Sequence, residues 1–92
     1  MRYKDNKEYI LKRIKSENFT YKNWIWAGDE YRGIKEYSDA ISCYSKAIAE
    51  TMPDPDRKHI LMKISSCYKE IGNLNEAKKF SEKSKEIPEP KY

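Results

Sequence analysis

The sequence predicts an all-α protein, an array of about five short helices arranged in antiparallel pairs. Three observations predict it. Apolar residues return at intervals of three, four and seven along most of the chain, and nowhere do they alternate with polar ones as in a half-buried strand. The punctuating residues Pro53, Pro55, Gly72 and Pro88 fall between those periodic stretches. Two of the stretches also repeat each other at a distance of 37 residues.

Taken in order, residues 3–16 form a flanking helix with Ile10, Leu11 and Ile14 as a narrow apolar stripe among Lys, Arg and Glu. Asn18 to Thr20 break the pattern, and Thr20 is placed to cap the next helix. That helix, about Tyr21 to Ile34, puts Trp24, Ala27, Gly28 and Tyr31 on one face, and Gly33 loosens its last turn. A third helix, about Ser38 to Thr51, carries Ala40, Ile41, Tyr44, Ala47 and Ile48, with Ser38 offering a capping hydroxyl. Pro53 and Pro55 stop it, and Asp54 or Asp56 can cap its successor. The fourth helix reaches about Ile71 with Leu61, Ile64 and Tyr68 on one face, and Gly72 ends it. Asn75 opens the fifth, which carries Ala77, Phe80 and Ile87 before a polar tail. The chain thus reads as one domain, 1–92, with helix pairs over 21–52 and 57–87 and a tail over 88–92.

A shift of 37 residues pairs Trp24 with Leu61, Ala27 with Ile64, Tyr31 with Tyr68, Ile34 with Ile71, Tyr37 with Leu74 and Ala40 with Ala77. Arg32 with Lys69 and Ser38 with Asn75 match in chemistry. One helix pair cannot cover its own apolar face, so such recurrence signals stacked units. The first unit, with Trp24, Ala27-Gly28, Tyr31, Tyr37, Ala40, Tyr44, Ala47 and Pro53, resembles the tetratricopeptide repeat; the second does so through Ile64, Tyr68, Gly72, Leu74 and Ala77. The family's period is about 34 residues, and three extra residues in the loop around Pro53 and Pro55 account for the difference.

The resemblance implies a right-handed superhelical array whose partner-binding groove is lined by the first helix of each pair. In this register the groove line is Lys22, Ile25, Trp26, Asp29 and Arg32, then His59, Met62, Lys63, Ser66 and Lys69. Trp24 already fills the family's core slot, so Trp26 faces elsewhere, either into the groove as a recognition anchor or beneath the first helix. Family members that clamp a peptide's terminal carboxylate use a Lys and an Asn where Ile25 and Asp29 stand, so that chemistry is not expected. Other departures are Lys35 at the turn glycine, Ser65 at the close-contact glycine, and Ser81 and Ser84 in the slots of Tyr44 and Ala47. Those serines are expected to make the last helix polar toward any further unit, as a cap.

Composition bounds the function. Apolar residues make up 38% and charged ones 37%, which suits a thin two-layer array, and the rings of eight Tyr, two Trp and two Phe supply much of its burial. No run nears the roughly 18 apolar residues of a membrane span, and a soluble, cytoplasmic protein is expected. Cys43 and Cys67 read as reduced, half-buried thiols, not as a disulfide framework. Lys and Arg exceed Asp and Glu by seven to three over 1–22 and by nine to five over 57–92, but fall short by three to seven over 23–56.

No catalytic, cofactor or metal constellation is written in the chain. It has one His, no CxxC, no Gly-rich phosphate loop, no HExxH and no GxSxG. His59 is an isolated helix imidazole, and Asp29 and Glu30 are adjacent on a helix and diverge. The sequence therefore predicts a non-enzymatic module that binds a protein or peptide. The alternative is a self-associating, homodimeric scaffold, because two units are fewer than the roughly three that solenoids need. Nucleic-acid binding by the Lys-rich ends is a third, weaker reading.

Overall fold

A computed structural model describes residues 3–16, 20–50 and 52–88, with the side chains of 3–6 and 16 left aside. Five helices follow in order: α1 (Tyr3–Ser16), α2 (Tyr21–Gly33), α3 (Tyr37–Ala49), α4 (Asp54–Glu70) and α5 (Leu74–Lys85). Helices α2 and α3 form one antiparallel pair and α4 and α5 the other, with α4 laid against α3 and α1 against α2. The expected tail over Glu89 to Tyr92 and the break at Asn18 lie outside the described residues.

Both pairs turn by the same device. After α2, Lys35 N–H donates to Arg32 O (3.0 Å) and Glu36 N–H to Tyr31 O (2.9 Å); after α4, Gly72 N–H donates to Lys69 O (3.1 Å) and Asn73 N–H to Tyr68 O (2.9 Å). This double bond pattern closes a helix only if the residue after the cap is left-handed. Gly72 adopts φ of 83° without cost, whereas Lys35 is held at 66° despite its Cβ. A lysine thus does a turn glycine's work in the first unit.

Helix starts differ from the sequence expectation in three places. Thr20 does cap α2, and its backbone N–H (3.1 Å) and hydroxyl (2.9 Å) both donate to Asn23 Oδ1. Ser38 does not cap α3, because the tight turn at Lys35 lets the helix begin at Tyr37 with Glu36 as the cap residue. Neither Asp54 nor Asp56 caps α4, whose cap residue is Pro53; proline at the second helical position forfeits no helical bond, and the two aspartates favour the positive end of the helix. Asn73, not Asn75, caps α5, with its Oδ1 accepting Glu76 N–H at 3.2 Å.

The extra residues of the second unit form helix instead of loop. Tyr21, the first residue of α2, corresponds to Lys58, yet α4 begins at Asp54, one full turn earlier. That added turn ties the array together. Arg57 donates to the Ile48 and Glu50 carbonyls (3.1 and 3.4 Å), satisfying the end of α3. Lys58, the next residue, donates to the Ser84 and Ile87 carbonyls (both 2.8 Å) at the end of α5.

The core gathers Ile10, Ala27, Tyr31, Ala40, Ile41, Cys43, Tyr44, Ile60, Ile64 and Cys67. Beside it, Gly28 of α2 lies close against the Tyr44 ring of α3. A Cβ on Gly28 would lie 2.5 to 2.9 Å from the Tyr44 ring, so α2 and α3 can approach this closely only without one. The second unit solves the same slot differently, with Ser65 donating its hydroxyl to the Ala77 carbonyl of α5 at 2.6 Å. Tyr68 stacks on Phe80 with centroids 5.6 Å apart.

Two buried features depart from expectation. Ser84 is buried against the α4 side and its hydroxyl bonds back to Ser81 O (2.8 Å), so it does not form a polar outer face. The polar face of α5 is made by Ser81 together with Lys78 and Lys85, where α3 has Tyr44, Ile41 and Ile48. The thiols of Cys43 and Cys67 are free but buried, not half-buried. Burial pushes Cys43 up to about 11 and raises Cys67, so neither thiol forms its reactive thiolate near neutral pH.

Candidate functional site

Because α4 sits beside α2 as its counterpart in the second unit, the residues of the expected groove line face one another across a seam. The seam is braced at mid-length. Lys63 Nζ lies 2.8 Å from Asp29 Oδ1, and the same oxygen accepts the Tyr44 hydroxyl at 2.5 Å. Burial, and then this bond to a carboxylate, raise the Tyr44 hydroxyl above the ordinary tyrosine range, so it remains a donor. The Lys63 ammonium also stands 5.8 Å over the Tyr44 ring. Asp29, in the slot that a carboxylate clamp gives to Asn, is therefore committed to holding α2, α3 and α4 in register.

One hollow opens on each side of this brace. On one side Ile25, Asp56, His59, Ile60 and Lys63 enclose about 300 Å³ with a mainly apolar floor. On the other, Arg32, Tyr37, Ser66, Cys67 and Glu70 enclose a similar volume of about 300 Å³ with mainly polar walls. Along both helices the order is the same: apolar hollow, ion pair, polar hollow.

Of the ten residues of the sequence-derived line, Ile25, His59 and Lys63 meet at the first hollow, Arg32 and Ser66 at the second, and Asp29 joins Lys63 between them. Lys22, Met62 and Lys69 are exposed on the same helix faces but line neither hollow. Trp26 turns toward α1. Tyr9 meets its ring edge-on at 6.2 Å and 87°, and the Arg13 guanidinium lies 4.2 Å over it. Of the two placements open to this ring, the packed one is observed.

Sequence reasoning missed Asp56, Ile60, Tyr37, Cys67 and Glu70 as lining residues. Asp56 belongs to the added turn of α4 and lies three residues before His59, so reading residues 54–57 as helix would have placed it on the groove face. Tyr37, read from the sequence only as part of the repeat pattern, lines the polar hollow. A separate cleft of about 520 Å³ lies between α3 and α5, with Ile48, Leu61, Ile64, Phe80 and Ile87 among its lining. Leu61, among its lining, stands where the first unit has Trp24.

Among the described residues no group of three or more His, Cys, Asp and Glu is placed to hold a metal ion, and no helix is long and apolar enough to cross a membrane. No match to the chain is found among curated proteins or solved structures. A family model for the tetratricopeptide repeat matches residues 21–50 and 59–90, which are the two helix pairs. Repeats of this kind are non-catalytic and generally mediate protein–protein interaction. Five helices without a strand among the described residues, two equivalent turns and two matched units together show that this chain belongs to the tetratricopeptide repeat family.

Proposed function

We propose that this chain binds a peptide or short helix of a partner protein in the groove between α2 and α4. The observation that carries the reading is the pair of hollows flanking the Asp29–Lys63 brace. The brace fixes the spacing of the helices before a ligand arrives, so binding does not have to order them. The apolar hollow at Ile25 and Ile60 suits one aliphatic or small aromatic side chain, and exposed Met62 adds an adaptable surface beside it. The polar hollow offers Arg32 and Ser66 as donors and Glu70 as an acceptor for backbone or polar groups one to two turns further along. Lys63 is spent on Asp29, and a terminal carboxylate would have to compete for it, which argues for an internal segment as ligand.

The test is affinity capture from the protein's native cells with the wild type and with His59→Glu/Met62→Glu, two exposed changes that leave the core intact. Loss of specific partners from the variant supports the groove. An unchanged partner set, with the variant folded by circular dichroism, overturns it.

A further inference from the structure

The internal repeat shows how one unit seats the first helix of the next, and it also shows that the second unit offers an altered seat. In the first unit, Tyr37 reaches the end of α4 beside Ser66, Cys67 and Glu70, Tyr44 lies under Lys63, and Ile48 meets the start of α4 at Arg57 and Leu61. Ile41 completes that face of α3, one turn from Tyr37 and Tyr44. The corresponding residues of α5 are Leu74, Ser81, Lys85 and Lys78. Leu74 is 64% exposed, and neighbouring Ile71, the counterpart of half-buried Ile34, is 47% exposed. The outer face of α5 is therefore apolar at its first turn and carries Lys78 and Lys85 beyond it, with Glu82, the counterpart of Ser45, as the one acidic residue between them.

We infer that this face seats an acidic amphipathic helix of a partner protein, in the place that α4 takes on α3. By the same antiparallel geometry, the docked helix puts its C-terminal apolar residues on Leu74 and Ile71 and its N-terminal turn beside Lys85. Acidic residues in that turn answer Lys85 and Lys78 and also suit the positive end of their own helix, as Asp54 and Asp56 do in α4. A second copy of this chain is a poor fit through its flanking helix, since residues 3–16 carry five Lys and Arg against two Asp and Glu. This seat is separate from the α2–α4 groove and stands whether or not the groove binds.

The experiment uses three synthetic 17-residue helices with one shared Leu/Ala face, flanked by Glu, Gln or Lys, titrated into the isotope-labelled full chain. Expected are amide shifts at Ile71, Leu74, Lys78 and Lys85 with the Glu peptide, and binding about tenfold weaker to Lys78→Glu/Lys85→Glu, since each exposed charge pair contributes modestly. The same variant should prefer the Lys peptide, an inversion that misfolding cannot produce. Equal binding of all three peptides, shifts confined to residues lining the α2–α4 groove, or no binding at millimolar peptide would each overturn the proposal. The groove variant His59→Glu/Met62→Glu should bind the Glu peptide as the wild type does, which keeps failure of the two readings apart.

Discussion

Replacing Gly28 with alanine tests the packing that brings α2 and α3 together. Alanine normally strengthens a helix interior relative to glycine by about 1 kcal/mol. Here its methyl would stand 2.5, 2.6 and 2.9 Å from Cε1, Cδ1 and Cζ of Tyr44. The ring cannot swing aside freely, because it is fully buried and its hydroxyl is held by Asp29. Overpacking of this kind costs about 1–3 kcal/mol, and loss of the charge-assisted bond to Asp29 adds about 1.5 kcal/mol. The expected net destabilisation is about 1.5–3.5 kcal/mol, or roughly 6–28 °C in Tm for a chain of this size. Urea and thermal unfolding followed at 222 nm read it directly. In a Tyr44→Ala background the methyl finds space, and Gly28→Ala should then stabilise by about 1 kcal/mol. A wild-type chain made more stable by Gly28→Ala, or the same sign in both backgrounds, would refute the reasoning.

Three further outcomes follow from the same coordinates. Lys35→Gly should raise stability by about 1 kcal/mol in urea unfolding, because the left-handed φ of 66° is free for glycine, while Lys35→Ala should gain nothing. Stability should fall in alkali: burial pushes Cys43 from its ordinary 9.0 up to about 11 and Tyr31 from 10.0 up to about 12. Raised folded values favour the neutral forms, so this contribution is complete below pH 9 and is lost as pH climbs from 9 to 12; in Cys43→Ala the decline should be shallower, with buried Cys67 still contributing from pH 9 upward. Ile10→Ala should cost about 2–4 kcal/mol and red-shift the Trp fluorescence, since Ile10 is the fully buried residue by which α1 holds its place over Trp26.

Much of the fold was legible because its signals are local or periodic. The helical faces, the Thr20 cap, the Gly72 turn and the 37-residue recurrence all lie in short stretches of sequence. What misled the reading were residues with two possible uses. Ser38 looks like a cap and Asn75 like the opening of a helix, but the Lys35 and Gly72 turns start these helices earlier, at Tyr37 and Leu74. Pro53 and Pro55 look like a helix-breaking loop, but a proline in a first turn breaks nothing, and the inserted residues lengthen α4. Ser84 looks like a surface residue, yet it is buried, with its hydroxyl satisfied by a carbonyl of its own helix. At the groove, the register put Asp29 and Lys63 on one line, but their pairing, with Tyr44 on the same carboxylate oxygen, depends on how three helices converge. The placement of Trp26 against Arg13 likewise depended on where α1 docks, which no spacing within α2 encodes.

Amide chemical-shift mapping of the labelled chain with a partner recovered by affinity capture measures the proposed groove most directly. The account predicts the largest shifts at Ile25, His59, Ile60 and Lys63, smaller ones at Arg32 and Ser66, and their loss in His59→Glu/Met62→Glu. Shifts that leave α2 and α4 untouched, and a partner that binds the variant as tightly as the wild type, would contradict it.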